Sequence, residues 1–179
     1  MKKAERRKRF LRILFTALTL LWMLTIFLFS QQNADASDRT GGTVTAFLQR
    51  LFFPAYSDAP AEEFERFMGN LTYFVRKAAH FTEYLILGAL LSLTLGSYGI
   101  SYGKRILFSI LAGVLYAAFD EFHQLFVPGR SGAVFDVLID SAGVVFGSLI
   151  MNGLSALREN ALTSKSDGNI IKEKREAVR

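Results

Sequence analysis

The chain has 179 residues, of which 51% are hydrophobic, and it carries a formal net charge of +5 at pH 7. It contains no cysteine, which excludes disulfides, thiolate nucleophiles and thiolate metal sites. Nearly half of its length lies in long apolar segments, and the stretches between them are too short for a sizeable soluble domain. The composition therefore predicts a single membrane domain.

Four apolar segments are each close to the length that a helix needs to cross a hydrocarbon core of about 30 Å. They are residues 13–29, 78–100, 106–127 and 133–151. They predict an all-α, four-transmembrane-helix bundle, a polytopic membrane protein with spans at about 11–30, 78–100, 105–127 and 133–152. The membrane domain is expected to occupy residues 1–155, and residues 156–179 are expected to form a polar tail that is frayed or disordered.

The first apolar segment has features of a secretory signal peptide, because basic residues precede it and Ala34-Asp35-Ala36 has a small-x-small pattern. Its apolar run, however, is longer than the roughly 7–15 residues of a signal peptide, and the small-x-small pattern lies several residues beyond its end. We therefore expect an uncleaved membrane anchor.

The connector 31–77 is predicted to carry two short amphipathic helices after a polar loop at 30–42. The first helix ends at Pro54, and its apolar positions are Val44, Phe47, Leu48 and Leu51. The second begins at Pro60, and its apolar stripe consists of Phe64, Phe67, Met68, Leu71 and Val75. The two helices predict a short amphipathic extracytoplasmic cap, which lies either flat at the membrane interface or packed over the bundle.

Lysine and arginine are distributed unevenly about the spans. Seven precede the first span, two lie between the second and third spans, and six lie in the tail, so that fifteen of the 21 fall on one side. By the positive-inside rule, both termini are expected to face the cytoplasm. Basic residues beside a span are usually topology signals that contact anionic lipid, so no nucleic-acid partner is expected.

Ionisable side chains lie within the last three apolar segments, where a carboxylate costs about 2.5–3.5 kcal/mol on insertion scales. With a rise of about 1.5 Å per residue, Glu83, the pair Asp120–Glu121 and Asp140 lie roughly 9–10 Å from the outer ends of their spans. A shallower layer, roughly 5 Å deep, contains His80, His123, Gln124 and Asp136. This common depth predicts a polar cluster in the outer half of the membrane, and the inner half has no comparable layer.

Helical spacing places these groups on shared faces. The faces consist of Lys77, His80 and Tyr84 in the second span, Asp120, His123 and Gln124 in the third, and Asp136 and Asp140 in the fourth. The last face continues to Gly143 and Gly147, a GxxxG pattern that lets another helix approach closely. We therefore expect the fourth span to pack tightly against a neighbour, with its acids directed inward.

Four runs of the sequence resemble the VanZ-like family of bacterial integral membrane proteins: IFLFSQQNADAS, RKAAHFTEYLILGALL, FDEFHQLFVPGRSG and FDVLIDSAGVVFG. The resemblance covers about residues 22–150, and SQQ stands where related chains often read SSQ. It implies a location in the bacterial plasma membrane and an association with low-level resistance to teicoplanin-type glycopeptides, but no molecular activity. It implicates Lys77, His80, Glu83, Glu121, Gln124, Arg130, Asp136 and Asp140, with Gly88, Pro128 and Gly143 at structural positions.

The sequence leaves several interpretations of these residues open. In a structural network, the basic side chains pair with the acids and fix helix register. In an enzyme acting on a lipid-linked substrate, the catalytic candidates are His80, Glu83 and Glu121. The candidate substrate-binding residues are then Lys77, Gln124, Arg130, Asp136 and Asp140. The chain shows no nucleophile signature and no known phosphatase motif, so the sequence does not decide whether it is an enzyme.

Two further interpretations involve a ligand. His80 with Glu83, and Glu121 with His123, supply ligands suited to Zn, Fe or Mn. Residues 121 and 123 point about 200° apart on a helix, so a divalent metal is not favoured and no cofactor is expected. A module that only binds a lipid headgroup or an amphiphile is the last alternative, because four spans leave little room for transport. The expected partners are membrane lipids and a lipid-linked or acylated glycopeptide ligand.

Overall fold

The computed structural model describes residues 2–32, 34–130 and 132–177, with side chains for all of these except 34–40, 159–160 and 162–177. In this part of the chain the elements are α1 Lys2–Ser30, α2 Ala34–Phe52, the 3₁₀ helix η1 Pro54–Asp58, α3 Ala61–Ser97, α4 Tyr102–Gln124 and α5 Val134–Ala177. The stretches long and apolar enough to cross a membrane are Lys2–Ser30, Ala61–Ser97, Tyr102–Gln124 and Val134–Arg158. The predicted all-α fold with four spans is confirmed.

The connector between the first two spans folds differently from its prediction. The expected polar loop is helical from Ala34 onward, and the second cap segment is the first part of α3 rather than a separate helix. Pro60 is the N-cap of α3, and no proline follows it before the helix ends at Ser97, so nothing stops the helix at the membrane boundary. With 37 residues, α3 is about 55 Å long, well beyond the thickness of a hydrocarbon core.

The C-terminal segment also differs from its prediction, because α5 continues beyond the fourth span to Ala177 instead of giving way to a disordered tail. This segment lacks proline, and its last residues, 172–177, are all glutamate, lysine, arginine or alanine, which have high helix propensity. Extending an existing helix requires no new nucleus, so such residues can stay helical without tertiary contacts.

The central helix of the bundle is α3, which packs against α1, α2, α4 and α5. Arg12 Nε donates to the Ser97 carbonyl at 3.1 Å, so the beginning of α1 lies beside the end of α3. Farther along the same pair, Trp22 Nε1 donates to the Glu83 carbonyl at 2.9 Å. Short connectors follow α3 and α4, so that α4 runs antiparallel to α3 and α5 runs antiparallel to α4. One end of the bundle thus contains the ends of α1 and α4 and the start of α5, and we call it the capped end.

The α3–α5 contact brings two backbones together. A Cβ atom added at Gly147 would lie 1.8 Å from the Leu85 carbonyl oxygen, and one added at Gly143 would lie 2.4 Å from another carbonyl oxygen of α3. From the opposite helix, a Cβ at Gly88 would lie 2.2 Å from the Val144 carbonyl oxygen. Only glycine fits at these positions. The predicted tight contact of the GxxxG pattern is confirmed, and its partner is α3.

A second polar cluster lies in the half of the bundle away from the capped end, where the sequence suggests no such layer. Ser92 of α3, Ser109 of α4, and Ser148 and Asn152 of α5 are all buried. The Ser109 and Ser148 hydroxyls are 2.5 Å apart, and Asn152 Nδ2 donates to Ser92 Oγ at 2.5 Å. We call this group the neutral serine cluster. Its uncharged hydrogen bonds join three helices and fix their register.

Candidate functional site

The predicted side chains of three spans meet near the capped end, in what we call the polar cluster. It consists of Lys77, His80, Glu83, Asp120, Glu121, Gln124, Arg130, Asp136 and Asp140. The most deeply buried members are Asp120, Glu121, Gln124 and Asp140, each with at most 4% of its surface exposed. The convergence expected from helical depth is therefore present in the fold. The functional roles assigned to these residues stay predictions.

Three members of the polar cluster, one from each helix, lie closest together. Potential ligand atoms of His80, Glu121 and Asp140 all lie within 4.8 Å of one another, and His80 Nδ1 is 3.6 Å from Asp140 Oδ1. Glu121 Oε2 accepts a hydrogen bond from the Ala133 amide at 3.0 Å, immediately before α5 begins. The start of α5 therefore holds one carboxylate oxygen of Glu121 and leaves the other available to the group.

Other members form an ion pair and a hydrogen-bonded chain. Lys77 of α3 donates to Asp136 of α5, which joins these helices at the capped end. Arg130 Nη1 donates to Gln124 Oε1 at 3.2 Å, and Gln124 Nε2 donates to Asp120 Oδ2 at 3.3 Å. Part of the polar cluster thus has the structural pairing that the sequence suggests.

Several buried atoms of the cluster have no hydrogen-bond partner among the described residues. They are both carboxylate oxygens of Asp140, Oε1 of Glu121, Oδ1 of Asp120 and Nδ1 of His80. Leaving a buried charged group unsatisfied costs more than the about 1–3 kcal/mol of a neutral one. The ion pair and the hydrogen-bonded chain therefore do not account for the whole cluster.

Two cavities adjoin the polar cluster. The apolar cavity has a volume of about 240 Å³, and its apolar wall is formed by Ile26, Phe29, Val44, Val75 and Ala79. The cationic cavity has a volume of about 340 Å³, and its charged lining residues, besides His80, are Arg76, Lys77, Arg130 and Asp136. Arg76, His80 and Arg130 line both cavities, so the two spaces meet at these side chains.

The electrostatics of the cationic cavity favour an anion. It has three basic side chains against the single carboxylate of Asp136 among its described lining residues. Burial and the neighbouring charge of Arg76 lower the pKa of the Arg130 guanidinium from its usual value, whereas nearby acids raise it. An anionic group bound here would offset both unfavourable effects on Arg130.

Some predicted site residues lie apart from the three-residue group. His123 packs its ring against Phe27 of α1, with a centroid distance of 4.8 Å, and is not part of the group of three. Glu83 lines the apolar cavity and is not part of the group of three. The sequence-based set of site residues also omits Asp120, which is buried and lines the apolar cavity.

These features define a polytopic α-helical membrane protein with acidic, basic and histidine side chains from three helices buried beneath one end. Residues 15–155, which are most of the chain, match the family model VanZ/LLP1. The chain belongs to the VanZ/LLP1 family, which confirms the resemblance. The comparisons with curated proteins and with solved structures gave no match.

Proposed function

We propose that this protein binds an anionic amphiphile of the bacterial envelope from the outer leaflet of the plasma membrane. We further propose that this binding reduces sensitivity to teicoplanin-type glycopeptides. The observation that carries the proposal is the pair of cavities, one cationic and one mostly apolar, that meet at Arg76, His80 and Arg130.

The two cavities match the two parts of such a ligand. A phosphate or carboxylate headgroup fits the cationic cavity, where Lys77 and the two shared arginines can donate charge-assisted hydrogen bonds. The attached acyl chain fits the apolar cavity, where Phe29 and Val44 offer aromatic and aliphatic surface. Because that wall is formed by residues of α1, α2 and α3, the chain of a bound lipid would lie between these three helices.

A structural module without a ligand is the competing proposal. It is favoured by the Lys77–Asp136 ion pair and by the chain from Arg130 through Gln124 to Asp120. The unsatisfied oxygens of Asp140 and the lined cavities count against it, because a network that serves only helix register is expected to satisfy its own buried groups.

Binding can be measured with the single tryptophan of the chain. Trp22 donates to the carbonyl of Glu83, which lines the apolar cavity, so its fluorescence should respond when the cavity fills. We expect purified protein in neutral detergent to bind a short-chain phosphatidylglycerol more tightly than phosphatidylcholine of the same chain length. Arg130→Gln should weaken phosphatidylglycerol binding at least about 10-fold, about 1.4 kcal/mol, because a charge-assisted contact is lost.

Arg50→Gln is the matched control, because it removes the same charge from an exposed position on α2 that lines neither cavity. It should leave the affinity unchanged. Equal binding of the two lipids, or equal weakening by both arginine variants, would contradict the proposal. Melting temperatures of the variants, measured in the same detergent, separate lost contacts from lost folding.

The proposed orientation, with both termini in the cytoplasm, can be tested by cysteine labelling, since the chain has no native cysteine. Single cysteines at Ser57 and Pro128, both exposed at the capped end, should react with an impermeant thiol reagent in intact cells. Cysteines at Ser101 and Ser166 should react only after permeabilisation. Gly132 is unsuitable, because a Cβ atom there would lie 2.6 Å from the Glu121 carbonyl oxygen. The opposite labelling pattern would place the polar cluster at the cytoplasmic leaflet.

A further inference from the structure

We propose that His80, Glu121 and Asp140 form a binding site for one divalent transition-metal ion, with Zn²⁺ as the best-matched ion. The site is assembled from α3, α4 and α5, one ligand from each helix. Nitrogen and carboxylate oxygen together are a donor set that suits Zn²⁺, whereas Mg²⁺ and Ca²⁺ prefer oxygen alone.

The spacing of the three side chains suits an ion better than a direct hydrogen bond. Ligands about 2.0–2.1 Å from a tetrahedral Zn²⁺ lie about 3.3 Å from one another. His80 Nδ1 and Asp140 Oδ1 are 3.6 Å apart, which is long for a hydrogen bond and close to this value. All three ligand atoms lie within 4.8 Å, so side-chain rotations can close the remaining distance.

The unsatisfied atoms of the group point to the same ligand. Asp140 is fully buried, and neither of its oxygens has a hydrogen-bond partner among the described residues. Glu121 Oε1 and His80 Nδ1 lack such partners as well, whereas Glu121 Oε2 is held by the Ala133 amide. A carboxylate oriented by a backbone amide, with its other oxygen available, is the usual arrangement of a metal ligand.

Charge balance gives a second argument. When both are ionised, the buried carboxylates of Glu121 and Asp140 together carry two negative charges, and the nearby Lys77 is already paired with Asp136. One divalent ion coordinated by Glu121, Asp140 and neutral His80 neutralises both charges and satisfies the free atoms.

The site adjoins both cavities through His80, which lines each of them, whereas Glu121 and Asp140 line neither. Three protein ligands leave one tetrahedral position for water or for an oxygen of a bound ligand. If the proposed function holds, an anionic headgroup in the cationic cavity can supply that oxygen, and this step alone rests on the proposed function.

The test uses the full-length protein in neutral detergent without anionic lipid, so its outcome does not depend on amphiphile binding. After treatment with a chelator and incubation with Zn²⁺, elemental analysis should find one ion per chain. Titration with Co²⁺ should produce visible absorption of the intensity expected for four-coordinate nitrogen–oxygen ligation. His80→Ala and Asp140→Asn should each weaken binding by at least about 100-fold, because each removes a direct ligand.

His123→Ala is the matched control, since it removes the other histidine of the chain, which lies one helix away against Phe27. It should bind one ion with unchanged affinity. Zn²⁺ should also raise the melting temperature of the wild type but not that of Asp140→Asn. Without metal, Asp140→Asn should melt no lower than the wild type, because it removes a buried charge and is nearly isosteric.

Less than stoichiometric binding in the wild type would overturn the proposal. Equal zinc affinities of His80→Ala and His123→Ala would also overturn it, because the zinc would then be bound at adventitious sites. A rise in melting temperature with Zn²⁺ that is equal in Asp140→Asn and the wild type would do the same.

Discussion

Gly147→Ala is expected to destabilise the bundle by about 3 kcal/mol or more, at the upper end of overpacking effects in cores. The new methyl carbon would lie 1.8 Å from the Leu85 carbonyl oxygen, which belongs to a helix backbone and cannot rotate away. Helices α3 and α5 must separate to accept it, and this separation would strain the Lys77–Asp136 pair and the neutral serine cluster. Thermal or denaturant unfolding in detergent measures the effect.

Gly153→Ala provides a control within the same helix. Nothing lies within 4 Å of a Cβ atom at that position, so the substitution should stabilise the helix slightly, by about 0.5–1 kcal/mol. If Gly147→Ala unfolded at the same denaturant concentration as Gly153→Ala, the backbone contact between α3 and α5 would be refuted.

Expression in a susceptible Gram-positive host is expected to raise the inhibitory concentration of teicoplanin more than that of vancomycin. A 4-fold difference would correspond to about 0.8 kcal/mol in effective free energy, which is about the membrane partitioning of one CH₂ group. Teicoplanin-type molecules carry an acyl chain, so a protein that binds amphiphiles in the outer leaflet can affect them selectively.

The protection should disappear with His80→Ala and Glu121→Gln while the melting temperature stays close to that of the wild type. If these changes instead destabilise the bundle by about 3–5 kcal/mol, as the loss of one partner from a buried pair does, the structural module is supported. Equal protection against both drugs would point to modification of the target. The absence of any protection would refute the resistance proposal. It would leave the binding proposal to the lipid titration, which uses purified protein and no host.

The sequence predicts the four spans well because a hydrocarbon environment requires a long run of predominantly apolar residues. The four long apolar helices of the structure overlap the four predicted segments, with exceptions where α1, α3 and α5 extend well beyond them. The start of α3 at Ala61 and the end of α5 at Ala177 show the reason for the exceptions. Hydropathy indicates where a helix leaves the membrane, but a helix stops only where its backbone is interrupted.

The depth of the polar-cluster residues along their spans could be predicted, but the contacts between them could not. Helical rise places Glu121 and Asp140 at one level, whereas their approach to His80 depends on how α3, α4 and α5 are rotated and packed. Neighbours within one helix, such as His80 and Glu83 at a spacing of three, are visible in a sequence, but contacts between helices are not. Phe29 and Val44 of the apolar cavity were also beyond prediction, because apolar residues of a membrane segment look alike whether they line a cavity or face lipid.

The unbroken length of α3 has a mechanical consequence. Its first turns pack against α2, and the same rod carries His80 and, roughly 18 Å farther along, Ser92. A displacement of the capped end must either bend α3, which weakens backbone hydrogen bonds, or rotate the whole helix as a rigid body. Turning is resisted at Gly147, where the rod touches α5 without intervening side chains. We expect a displacement near His80 to reach the hydrogen bonds among Ser92, Ser148 and Asn152, in the other half of the bundle.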